Sequence, residues 1–105
     1  MQRYPVRRTH RARLTPAEIR RAATAHFGNA SDESGEATVV AFGAIERLVA
    51  RPVGAELEVD MRMNPKVPDE VAAETIRRYN AFLEAVTGYT AKERASRLRK
   101  SAGEA

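Results

Sequence analysis

The side chains that could do chemistry in this sequence are few, and their spacing gives most of them other work. Of the two histidines, His10 stands in an Arg-rich stretch that disfavours a bound cation. His26 falls where a helix would end, so its imidazole can meet the last free carbonyls. Glu56, Glu58 and Asp60 alternate, and a strand would set all three on one face, where they could hold Mg2+ weakly. Arg47, Arg51 and Arg62 offer a simpler reading as their cross-strand partners, in a ladder of solvated charge pairs. Cysteine is absent, which removes thiolate ligands, disulfides and cysteine nucleophiles. Neither a Gly-x-Ser-x-Gly elbow nor a Gly-rich phosphate loop occurs. The expectation is a protein that is not an enzyme and has no catalytic residue, metal or cofactor.

Charge is the feature that points to a partner. Residues 1–13 hold five Arg and no acid, residues 91–105 carry a net +3 and residues 14–90 a net −4, giving +4 for the whole chain. A mildly acidic body with two basic ends suits an anionic partner, although Arg-rich ends also serve to solubilise a chain. The candidates for contact with RNA or DNA backbone are Arg3, Arg7, Arg8, Arg11 and Arg13 at one end, and Lys92, Arg94, Arg97, Arg99 and Lys100 at the other. Tyr4, beside Arg3, is placed to stack on a base. The alternative is a protein-interaction or homodimerisation domain that uses an open sheet face or an edge strand.

The elements that must position these groups are legible in turn. Residues 2–9 alternate around Tyr4 and Val6, and Pro5 confines that strand to a sheet edge or to its beginning. Thr15-Pro16-Ala17-Glu18 is a capping box with Pro at the first helical position. It opens a helix from Pro16 to Phe27, with Gly28 placed to end it. Asn29 to Glu36 is polar and reads as a surface connection. Thr38 to Phe42 and Ala44 to Arg51 read as strands divided at Gly43, and Arg51-Pro52-Val53-Gly54 as a turn. In the next strand Leu57, Val59, Met61 and Met63 form an apolar face opposite Glu56, Glu58, Asp60 and Arg62. If Leu48 and Ala50 share that buried face, paired residue numbers sum to an odd value, which predicts Arg47 opposite Glu58 or Asp60.

Asp69 reads as the cap of the main helix, whose stripe is Ala72, Thr75, Ile76, Tyr79, Phe82, Leu83 and Val86. Gly88 stops it, and the capping box Thr90-Ala91-Lys92-Glu93 opens a short basic helix at once, with Tyr89 packed between the two. The predicted fold is an α+β two-layer sandwich of order β-α-β-β-β-α-α. It has a four-stranded, mostly antiparallel sheet, helices on one face and charge on the other. One domain covers residues 1–100, and residues 101–105 fray.

Three runs of residues carry a resemblance: Gln2-Arg3-Tyr4-Pro5-Val6-Arg7-Arg8, Phe42-Gly43-Ala44-Ile45-Glu46-Arg47-Leu48, and Tyr79-Asn80-Ala81-Phe82-Leu83 leading to Thr87-Gly88-Tyr89-Thr90-Ala91-Lys92-Glu93-Arg94. Through them the chain resembles a small archaeal family known only as a domain of unknown function. That resemblance implies a two-layer α/β sandwich in an archaeal cytoplasm and brings no activity with it. The layout also looks like one half of a TATA-box-binding protein, but Glu56, Glu58 and Asp60 on the outer face would repel phosphates. The chain has neither a leader-like apolar run at its start nor roughly 18 uninterrupted apolar residues anywhere, so no membrane partner and a cytoplasmic location are expected.

Overall fold

A computed structural model describes residues 2–33 and 35–96. Strand β1 (Gln2–Pro5) is followed by a 3-10 segment (Arg8–Arg13), helix α1 (Pro16–Phe27), strands β2 (Ser31–Glu33), β3 (Ala37–Phe42), β4 (Ile45–Val53) and β5 (Glu56–Met63), and helix α2 (Asp69–Thr87). Residues 91–96 are helical as well. The sheet has five strands in the order β1-β5-β4-β3-β2, and every neighbouring pair is antiparallel. The α+β class and the antiparallel sheet agree with the expectation, whereas the count of four strands does not.

The extra strand is β2, inside the segment read as a loop. Its side chains are all exposed, so no apolar alternation marks it. What creates it is a clamp: the Asn29 amide donates to the Ala41 carbonyl at 2.8 Å and accepts from the Ala41 N–H at 3.3 Å. Ala41 is the residue at which the β3–β4 register shifts. Its backbone groups are satisfied by a side chain, and the chain leaves Asn29 already aligned to pair Ser31 with Val39.

Helix α1 forms as its signals dictate. The Thr15 hydroxyl accepts from the Glu18 N–H at 3.2 Å, and Gly28 closes the helix at φ 81°. Ile19, Ala23 and Phe27 reach the core from it. Helix α2 departs from its reading in two ways. Pro68, not Asp69, occupies the cap position and gives no side-chain cap, so Asp69 instead places negative charge in the first turn. Ile76, expected in the buried stripe, is 52% exposed. The inward slot belongs to Thr75, whose hydroxyl donates to the Val71 carbonyl at 2.7 Å and accepts from the Ala44 N–H at 3.0 Å. Gly43, at φ 50°, permits this approach, since a Cβ there would collide with the Thr75 hydroxyl. Locking Thr75 inward turns Ile76, about 100° further round the helix, toward water.

Between the layers Val40, Ile45, Leu48, Ala50, Leu57 and Val59 from the sheet meet Ile19, Phe27, Phe82, Leu83 and Val86 from the helices. Phe27 packs tilted against both Phe42 and Phe82, with ring centroids 5.7 and 5.5 Å apart. Leu57 and Val59 are buried as expected, Met61 is partly buried, and Met63 at the strand's end is 38% exposed. The odd-sum register is present, with Leu48 opposite Met61 and Ala50 opposite Val59. It places Arg51 opposite Glu58, but Arg47 stands opposite Arg62 rather than Glu58 or Asp60. The partner of Arg47 thus lies two residues beyond Asp60 and four beyond Glu58, an even offset that keeps the parity while changing the charge pairing.

Candidate nucleic-acid interface at the joined chain ends

The two basic segments meet. Val6 is buried and binds the Ala55 carbonyl through its N–H at 3.3 Å, and the Arg7 N–H then donates to the Thr87 carbonyl at 2.7 Å. The start of the chain is thereby held against the end of α2. There Gly88 takes φ 79° and ends the helix, and a Cβ on it would lie 2.7 Å from Nδ1 of His10 and 3.0 Å from Cβ of Arg7. Both the positive φ and the close approach require glycine. The second capping box is complete, with the Glu93 N–H donating to the Thr90 hydroxyl at 3.2 Å and the Thr90 N–H donating to Glu93 at 2.9 Å.

Arg7 joins the halves. Its guanidinium lies over the Tyr89 ring, 4.5 Å from the centroid, donates from Nε to the Gly88 carbonyl at 3.0 Å, and pairs through Nη2 with Glu93 at 2.9 Å. The backbone hydrogen bond from Thr90, together with Arg7 beside it, holds the Glu93 carboxyl below the usual carboxylate range. Tyr89 is buried in this junction, as its position between the two helices implied. Arg94 is buried beneath it, donating to the Tyr89 carbonyl at 2.6 Å and to Oδ1 of Asn80 at 3.0 Å.

These contacts sort the candidate residues. Arg3 lies on the sheet's outer face, where it holds Glu58 at 3.1 Å. Tyr4 turns inward: its hydroxyl meets the Tyr79 hydroxyl at 3.2 Å and also Gln2, and burial followed by this contact pushes the Tyr79 phenol up. Arg7 and Arg94 are structural ties. Arg11 spends Nε on the Val6 carbonyl at 3.2 Å but is otherwise exposed. Arg8 and Lys92 are exposed and have no ion-pair partner among the described residues. Arg13 closes the 3-10 segment. Arg97, Arg99, Lys100 and the tail 101–105 lie outside the described residues. Among the described residues, the cations of the two basic segments without an ion-pair partner are thus Arg8 and Lys92, with Arg11 partly engaged.

The sheet's outer face carries its own charge pattern. Glu58, expected in water, is only 4% exposed because Arg51 at 2.5 Å and Arg3 close over it. The hydrogen bond from Arg51, the largest influence, and the one from Arg3 hold its carboxyl below the usual range against the opposing effect of burial. Arg47 reaches Glu33 on β2 at 2.5 Å. Sequence reasoning missed this partner because β2 itself was missed. It also missed Glu93 as an anchor, although Glu93 is the one acid among residues 91–103, a signal that an ion pair waits there. Among the described residues no group of three or more His, Cys, Asp and Glu could hold a metal ion, and no helix is long and apolar enough to cross a membrane.

Neither the curated proteins nor the solved structures contain a match to this chain. A family model described as Domain of unknown function (DUF5611) matches residues 1–100, which takes in both basic segments and the junction between them, and the chain belongs to that family.

Proposed function

We propose that this domain is a non-enzymatic binding module that contacts nucleic-acid backbone at the junction of its two basic ends. The observation that supports the reading is the Arg7–Glu93 pair at 2.9 Å, which ties the segment that carries Arg8 to the segment that carries Lys92. Glu93 is the one acid among residues 91–103, and its pairing with Arg7 leaves Arg8 and Lys92 without a carboxylate partner among the described residues. All six aromatic residues, three Tyr and three Phe, are buried or partly buried, so the contact is to phosphate rather than to stacked bases. The strand edges lend less support to a protein-pairing role. β1 is four residues long and ends in Pro5, and β2 is three residues long, as in edges blunted against pairing.

The test is binding of labelled RNA and DNA of unrelated sequence across a salt series. Each phosphate neutralised contributes about −0.9 to the slope of log K against log salt on duplex DNA. Engagement of Arg8, Arg11 and Lys92 predicts a slope of roughly −3, with little dependence on sequence. Absence of binding at low salt, or binding insensitive to salt, would refute the proposal.

A further inference from the structure

The outer face of β4 and β5 contains an arrangement that a ladder of opposite charges would not. Arg47 and Arg62 are directly opposed across the strands, both exposed, in a relationship that weakens a sheet. Arg47 leans away to Glu33, while Arg62 has no ion-pair partner among the described residues. One pair of rows further along, Arg51 and Arg3 are both spent on Glu58. Between the free and the neutralised charge stands the cross-strand pair of Val49 and Asp60. The resulting groove, about 280 Å3, is lined by Arg47, Val49, Asp60 and Arg62.

We infer that this groove binds a phosphate monoester with neighbouring hydroxyls, of which a pentose phosphate is the simplest example. A guanidinium presents a planar fork of donors that matches phosphate oxygens, so Arg62 takes the phosphate with Arg47 beside it. The dianion turns the like-charge opposition into a clamp once Arg47 exchanges its Glu33 partner for a phosphate oxygen. An ionised Asp60 only accepts hydrogen bonds, so it penalises bare phosphate and favours a ligand that brings a hydroxyl donor. Val49 supports the carbon skeleton. The volume lies near the lower end of ligand sites, roughly 300 Å3, which suits one sugar phosphate. The groove shares no lining residue with the basic junction, so it stands or falls independently of backbone binding there.

The same chemistry is offered by a free sugar phosphate and by the terminal phosphate of a nucleic acid, and a titration of the isotope-labelled full chain separates them. With ribose 5-phosphate the amide signals of Val49, Asp60 and Arg62 should shift and saturate, at lower concentration than with inorganic phosphate. Arg62→Gln should weaken binding about tenfold or more, as expected for loss of charge-assisted hydrogen bonds. Arg8→Gln should leave it unchanged, and Asp60→Asn should erase the preference over inorganic phosphate. Arg62→Gln removes one of two opposed like charges, so it should fold with an unchanged or higher Tm in phosphate-free buffer. A 5′-phosphorylated dinucleotide that saturates the same amides before ribose 5-phosphate does would identify a nucleic-acid end as the natural occupant. Shifts confined to other residues, no saturation by tens of millimolar ligand, or equal affinity in Arg62→Gln would overturn the assignment.

Discussion

Arg7 and Tyr89 are stacked, guanidinium over ring at 4.5 Å, and through this contact the beginning of the chain closes over the end of α2. The same guanidinium satisfies the Gly88 carbonyl and pairs with Glu93, so one side chain serves as ring cover, helix-end donor and counter-ion.

Replacing Arg7 with Ala should therefore cost about 1–2 kcal/mol in urea unfolding, the sum expected for a partly exposed cation–π contact and a charge-assisted hydrogen bond. Lysine should recover only part of this loss, because a point charge cannot cover the ring and fork to two oxygens together. Loss equal to that of a typical surface substitution, within about 0.5 kcal/mol, would show that the junction is held by its backbone contacts alone.

The two helix-ending glycines differ in a way that substitution can read. Gly28 and Gly88 both have φ near 80°, but a Cβ on Gly28 meets nothing within 4 Å, whereas one on Gly88 meets His10 and Arg7. Gly28→Ala should cost about 1 kcal/mol from backbone strain. Gly88→Ala should cost measurably more, and His10→Ala in the same chain should restore part of the excess.

Acid should loosen the outer face through Glu58. Its carboxyl is held low in the folded state, chiefly by the hydrogen bond from Arg51. The unfolded chain therefore binds a proton first as pH falls. The associated stability is complete above the unfolded carboxylate value, about 4.3, and disappears as pH drops through the lower folded value. Tm should fall below about pH 4, and Glu58→Gln should have a lower Tm at neutral pH with a shallower acid limb. Parallel acid limbs in the two proteins would assign the transition to other carboxylates.

Thr75→Val should be destabilising by about 1–3 kcal/mol although the side chain keeps its shape, because the Ala44 N–H loses the hydroxyl it donates to in a buried place. Thr75→Ser, which retains the hydroxyl, should lie between the two in thermal unfolding.

In nucleic-acid binding, the double variant Arg8→Gln and Lys92→Gln should flatten the salt slope by about two units while leaving Tm nearly unchanged, since neither side chain has an ion-pair partner among the described residues. An unaltered slope would place the backbone contact elsewhere.

Helix α1 was legible to the residue, because Thr15, Pro16 and Gly28 act locally and each has one cheap conformation. The alternation of β5 and the parity of its pairing with β4 were legible for the same reason: one apolar face must be buried. The actual offset was not, because parity leaves every second register open and long Arg side chains reach partners beyond the residue opposite. β2 was hidden because its stabilisation comes from Asn29 reaching Ala41, a contact between segments, with no periodicity of its own. At the candidate interface, composition marked the basic ends but could not tell that Arg3, Arg7 and Arg94 are occupied within the fold and Arg8 and Lys92 are not.

The strand order β1-β5-β4-β3-β2 sets four successive strands side by side and leaves the earliest one to join at the far border. Gln2 finds Val59, and Arg7 finds Thr87 and Gly88, only after most of the domain has been synthesised. On a ribosome, residues 2–13 would wait without neighbours while the hairpins behind them zip locally. Their docking would be the closing event of assembly, and it is that event which brings the two basic segments together.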